Sequence, residues 1–172
     1  LAPAYKVYVT TTDAGILRTQ PYSGAALETV VPAAVTGSTG GMTLDQPRGK
    51  MYWGGAGTIS RANLDGSRVE RILTGLSDTP RRLAVNSSAG KLYWTEGKSI
   101  RRANLDGSGA ETLHTMTNHD IIGLVLDESR GRIYYVATST GYLDIIYYAG
   151  LDGQNSTFIA WDTGSGRCYS QL

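Results

Sequence analysis

The sequence runs to 172 residues with 16 basic and 15 acidic side chains, a formal charge of +1, and 41% apolar residues. A chain of this length buries roughly 70% of its unfolded surface, ample for one domain, and its evenly scattered charge excludes the clustered basic stripe of a nucleic-acid surface. No run approaches the roughly 18 apolar residues of a membrane span, and a single cysteine, Cys168, excludes an internal disulfide framework.

The chain opens on "YKVYVTTTDAGILRTQPYSGAALETVV", residues 5–31, in which apolar runs alternate with turn residues. The next stretch states the same grammar more fully. "TLDQPRGKMYW" holds two apolar runs joined by a polar link ending in Gly, the pattern of a β-hairpin, and "TISRANLDG" follows. Alternation there sets Ile59, Arg61 and Asn63 on one face and Ser60, Ala62 and Leu64 on the other. Asp65-Gly66 supplies the turn, and "SRVERIL" is a short outer strand with a polar edge. "AVNSSAGKLYW", "SIRRANLDG" and "SGAETLH" repeat the phrase, with Tyr93-Trp94 falling 41 residues after Tyr52-Trp53. A further 41 residues lands on Tyr134-Tyr135, followed by Leu151-Asp152-Gly153 and "QNSTFIA". In the opening copy Lys6-Val7-Tyr8-Val9 stands where Lys50-Met51-Tyr52-Trp53 does, and Tyr22-Ser23-Gly24 replaces Leu-Asp-Gly.

A fixed period near 40 residues marks a repeat architecture, and four strands per period make a propeller blade. The sequence therefore predicts an all-β protein, a single β-propeller domain of four repeats with blades near 5–31, 41–73, 82–114 and 123–160. The first copy starts at its second strand, so residues 166–172 are expected to supply the missing innermost strand and close a four-bladed ring. The alternative is half of a larger propeller, completed as a homodimer.

The Tyr-Trp of "KLYWTE", its "GK" lead-in and "RANLDGS" recurring in register resemble the YWTD repeat of the low-density lipoprotein receptor class of β-propellers, over residues 5–160. Thr-Asp after Tyr-Trp becomes Gly54-Gly55, Thr95-Glu96 and Val136-Ala137 in the three stronger copies. The resemblance implies a non-enzymatic module that binds protein ligands; its propellers have six blades, usually with cysteine-rich modules attached.

Residues that keep the repeat are scaffold, so binding is expected where the repeat breaks, in loops on one face. The hairpin end after Tyr-Trp reads "GGAG", then "TEGK" with Glu96, then "ATSTGYLDI", five residues longer and carrying Tyr142 and Asp144. The links between blades add Asp78, Asn118, His119, Asp120, Trp161 and Asp162 on the same face. Short polar groups beside aromatic rings suit a protein, a peptide or a glycan, which makes a carbohydrate-binding propeller the second reading. A metal-dependent, lactonase-like hydrolase is the third, because carboxylates around a propeller channel hold metals. No nucleophile elbow, zinc spacing or EF-hand pattern supports it, so no enzyme activity, catalytic residue, metal or cofactor is predicted. His114 lies on an outer strand and reads as a surface residue. Sequons at Asn86 and Asn155 favour a secreted, extracellular protein.

Overall fold

The computed structural model describes residues 6–20, 26–37, 39–138, 144–162 and 168–170, excluding the side chains of 161–162 and 168–170. Among the described residues sixteen strands form four antiparallel sheets, each a propeller blade. Blade one holds β1 (Val7–Thr11), β2 (Gly15–Thr19) and β3 (Glu28–Val31). A single turn of helix, α1 (Ala33–Thr36), enters after Pro32 and leads to the second blade. Blade two is β4 (Met42–Asp45), β5 (Lys50–Gly55), β6 (Thr58–Asn63) and β7 (Glu70–Leu73). Blade three is β8 (Leu83–Asn86), β9 (Lys91–Glu96), β10 (Ser99–Asn104) and β11 (Glu111–Thr115). Blade four is β12 (Asp120–Asp127), β13 (Arg132–Thr138), β14 (Asp144–Gly150), β15 (Thr157–Asp162) and β16 (Cys168–Ser170).

The closing strand expected from residues 166–172 is corrected by this topology. β16 pairs with β15 through Ala160 and Ser170, Trp161 and Tyr169, and Asp162 and Cys168, which places it on the outer edge of blade four. Among the described residues blade one has three strands. The reason is local: β15 presents an unpaired edge, and a short strand just beyond it covers that edge at lower loop-closure cost than a crossing to blade one.

Alternation along each second strand sends side chains to two different neighbours. Met51 and Trp53 pack with Ile16 and Val31 of blade one, whereas Tyr52 and Ile59 pack with Leu92 and Trp94 of blade three. In the next seam Tyr93 and Ile100 of blade three meet Ile121, Ile133 and Tyr135 of blade four. Trp53 and Trp94 are fully buried. Each such ring removes roughly 200 Å² from water, worth about 5 kcal/mol at 25 cal/mol per Å².

Polar latches cross the same seams in one direction. The Tyr8 hydroxyl and Arg18 Nη1 donate to the Leu64 carbonyl at 2.9 and 3.1 Å. Arg61 Nη1 reaches the Leu105 carbonyl at 2.8 Å. Tyr93 and Arg102 reach the Leu151 carbonyl at 3.2 and 2.9 Å. Each latch arginine is held by a glutamate on the neighbouring outer strand: Arg18 by Glu28, Arg61 by Glu70 and Arg102 by Glu111.

The Leu-Asp-Gly turn is built to receive these latches. Asp65 accepts from the backbone and hydroxyl of Ser67, which holds its carboxyl below the ordinary value, and Asp106 repeats this with Ser108. Gly107 has φ +89°, and a Cβ there would lie 2.1 Å from the Ile72 carbonyl of blade two. Gly49 shares the positive φ, at +63°, but faces open space. Gly49→Ala should therefore cost only the left-handed penalty, about 1–2 kcal/mol. Gly107→Ala should cost clearly more because the seam must also open, and chemical denaturation of the two variants in parallel measures the difference.

His114 departs from the surface position expected of it. It stands across from Ile100 on β10, so it faces blade four, where its ring lies 5.6 Å from the Tyr135 ring. Burial lowers its pKa from the ordinary 6.5. The neutral form is the one that packs, so its contribution is complete above pH 6.5 and is lost as pH falls from there towards the folded-state value. Urea unfolding at pH 7 and pH 5 should show wild type losing more stability on acidification than His114→Leu.

Candidate functional site

The two ends of each blade differ in kind. At one end lie the Leu-Asp-Gly turns and the turns that join first strands to second strands; Leu64, Leu105 and Leu151 donate there to the carbonyls of Gly49, Gly90 and Gly131. The other end gathers the hairpins after Tyr-Trp and the links between blades. Leu76 N–H donates to the Gly57 carbonyl, Met116 N–H to Lys98 and Ile121 N–H to Gly97. These bonds tie the 74–80 and 115–120 links to the hairpins of blades two and three, so Asp78, Glu96, Asn118, His119 and Asp120 share one rim.

Within that rim the candidates divide. Glu96 is buried, at 5% exposure. Its Oε1 accepts from the backbone and hydroxyl of Ser77, both at 2.6 Å, and its Oε2 from Trp94 Nε1 at 3.2 Å and Arg101 Nη1 at 3.0 Å. Burial pushes its pKa up, but the hydrogen bonds from Ser77, Trp94 and Arg101 together outweigh that and leave it below the ordinary value. The Glu96 carboxylate thus pins the 74–80 link to blade three. Strand alternation could have shown this, because Glu96 lies two residues beyond Trp94 on the face that packs against blade two. Asp78 belongs to the same link and accepts from the Thr79 backbone at 2.7 Å. Arg101 also lies over the Trp94 ring at 5.6 Å, and its Nε is buried without a hydrogen-bond partner.

Blade four holds the open part of the rim. Asp120 on β12 and Asp144 on β14 both stand across from Thr138 on β13. Both carboxylates are exposed, Asn118 is exposed and His119 half-buried just before them. Among the described residues none of the four makes a side-chain hydrogen bond or ion pair. Two strand spacings set Asp120 and Asp144 roughly 9–10 Å apart, too far to share a proton. β15 brings Trp161 across from Ile145. Asp162 follows at the same end of the blade, and their side chains lie outside the described set, as does the whole of Tyr142.

A groove of about 400 Å³ lies near the opposite end, in the seam of blades two and three, lined by Arg48, Lys50, Tyr52, Arg61, Asn104 and Asp106. Nothing in the repeat pattern points there. Its cations are already engaged: Lys50 with Asn63 at 2.7 Å, Arg61 with Glu70 and the Leu105 carbonyl, and Arg48 with Asp45 and Ser87. The two sequons also separate. Asn86 is 3% exposed and its Oδ1 accepts from Ser88 and from Ala89 N–H, whereas Asn155 is exposed in a turn with φ +55°.

Breaking the Glu96 cluster leaves Arg101 partly buried without its counter-charge, so Glu96→Ala should cost about 3 kcal/mol. Differential denaturation should show that loss, together with earlier proteolysis in the 74–80 link.

No protein-family model matches this sequence, and no curated protein matches it. Solved structures do match. A nidogen/laminin complex aligns with TM-score 0.79 at 20% identity, over 92% of this chain and 62% of that one. A Bacteroides thetaiotaomicron protein of unknown function aligns at 0.68 and 19% identity, over 90% and 44%. A protein described as TolB from Agrobacterium tumefaciens aligns at 0.63 and 15% identity, over 83% and 55%. This chain spans less than two thirds of each. Four radiating sheets, the three repeated seams and these alignments make the chain a β-propeller.

Proposed function

We propose that this chain is a non-enzymatic binding module of the YWTD type, extracellular, which recognises a protein or peptide through the rim of blade four. The observation that carries the reading is a division of polar groups. Those of the repeated phrase, Arg61, Asn63, Asp65, Lys91, Arg102 and Asp106 among them, bond within the fold. Asn118, His119, Asp120 and Asp144 belong to the segments that break the repeat, and among the described residues their side chains make no hydrogen bond or ion pair. A rigid sheet that holds unspent polar groups at its rim is preorganised to bind, because little backbone order is lost on contact. Two carboxylates roughly 9–10 Å apart suit basic side chains of an extended segment better than a single small ion. The likeness to a nidogen/laminin complex, a protein bound to a protein, supports the same class of ligand.

Surface plasmon resonance against laminin and an arrayed library of basic peptides, with a glycan array alongside, tests this. Protein or peptide hits are expected, weakened about tenfold, or 1.4 kcal/mol, in the double variant Asp120→Asn/Asp144→Asn, with unchanged thermal stability. Hits confined to glycans and competed by free sugar would replace this reading with the lectin one.

A further inference from the structure

The triplets Asn86-Ser87-Ser88 and Asn155-Ser156-Thr157 occupy two different kinds of position in the repeat. Asn86 ends β8, where Asp45 ends β4 and Asp127 ends β12. In all three blades that side chain accepts from the backbone N–H three residues on, from Arg48 at 3.4 Å, Ala89 at 2.8 Å and Arg130 at 3.1 Å. The rest of the first triplet is held from both neighbouring blades. The Ser87 hydroxyl donates to Asp45 of blade two at 2.7 Å, and that of Ser88 to Glu128 of blade four at 3.1 Å. Asn86 is thus a buried part of the scaffold, and a substituent on its Nδ2 requires this turn to open.

Asn155 follows the Leu-Asp-Gly turn of blade four, where blade two has Arg68 and blade three has Gly109. These residues share a left-handed backbone, with φ +55° at Arg68, +62° at Gly109 and +55° at Asn155, and all three are exposed. Blades two and three each have a following blade packed against them, and it leaves this position open in both. Exposure is therefore a property of the turn. Ser156 and Thr157 are exposed as well. Thr157 Oγ1 donates to the Asn155 carbonyl at 3.0 Å, which sets the hydroxyl beside the asparagine, and among the described residues the Asn155 amide group makes no side-chain hydrogen bond.

We infer that Asn155 is the N-glycosylation site of this protein and that Asn86 is not one, which rests on the extracellular part of the proposed function. A surface Asn-x-Ser/Thr triplet in a secreted chain is an acceptor for an N-linked oligosaccharide. The donor is an oligosaccharide linked to a polyprenyl diphosphate. The bond from Asn155 Nδ2 to the sugar C1 forms as the C1–O bond to the diphosphate breaks; polyprenyl diphosphate leaves with the bonding electrons, and one Nδ2 proton passes to solvent. β14 runs from Asp144 at the rim to Gly150 beside the Leu-Asp-Gly turn. The glycan accordingly stands at the opposite end of blade four from Asp120 and Asp144 and leaves the rim open to a protein ligand.

The full chain, given a secretory leader and expressed in a eukaryotic host, meets the transferase wherever it resides natively, so a missing glycan counts against this site and not against the extracellular reading. Intact mass and peptide mapping of the folded fraction should show one glycan, on Asn155, released by a peptide amidase that leaves aspartate behind. Asn155→Gly, which takes the residue of blade three at that position, and Thr157→Val should each abolish the mass shift and keep the circular dichroism of the wild type. Asn86→Asp, which takes the residue type of blades two and four, should leave the shift in place. An unmodified wild type, a shift that survives Thr157→Val, or a glycan on Asn86 in the folded fraction would overturn the inference. Laminin or peptide binding at the rim is a separate readout, and its failure leaves this assignment standing.

Discussion

A sheet with two apolar faces cannot rest against water on either of them, and that constraint organises this protein. Each central strand alternates Met51 and Trp53 towards one neighbour with Tyr52 towards the other. Apolar burial supplies most of the free energy but no direction, because it is proportional to area. Direction comes from the latch, in which tyrosine and arginine reach forward to the carbonyl of a leucine in the following blade. The leucine must arrive at a fixed height, and the Gly that follows allows it by letting the turn touch the preceding blade's outer strand. Fold and repeat phrase are thus one requirement seen at two scales.

That requirement explains which parts of the architecture were legible in the residues. A 41-residue spacing between Tyr-Trp pairs, the Asp-Gly turns and the alternation of β6 and β10 all follow from contacts repeated in every seam, and repetition makes a weak local signal readable. Features that occur once were not legible. Residues 168–170 as a strand look the same whether they join β15 or blade one; the choice depends on which edge is nearer in space. The turn of helix after Pro32 has no counterpart in the other links among the described residues.

The candidate rim shows the same limit at the level of single side chains. Shared placement on one end was readable, because hairpin ends and links must meet there. Whether a polar residue faces inward was not read, although for Glu96 the information was present in its spacing from Trp94. Its four donors come from Ser77, Trp94 and Arg101, of which Ser77 lies 19 residues away in sequence. His114 was misplaced for a related reason: its partner Tyr135 belongs to the next repeat, and one strand read alone does not reveal which blade it will face.

Blade four is where the repeat and its exceptions divide. Its inner face obeys the repeat, with Ile133, Tyr135 and Ala149 fully buried against blade three. Its outer face and its rim do not: Tyr148 replaces a latch arginine, and Asp120 and Asp144 stand at strand ends without side-chain partners among the described residues. A polar group that leaves a repeated network forfeits about 0.5–1.5 kcal/mol per hydrogen bond. Three intact seams carry enough buried area to tolerate several such losses in one blade. Blade four can therefore depart from the repeat on its outer face and rim while its inner face keeps the seam to blade three.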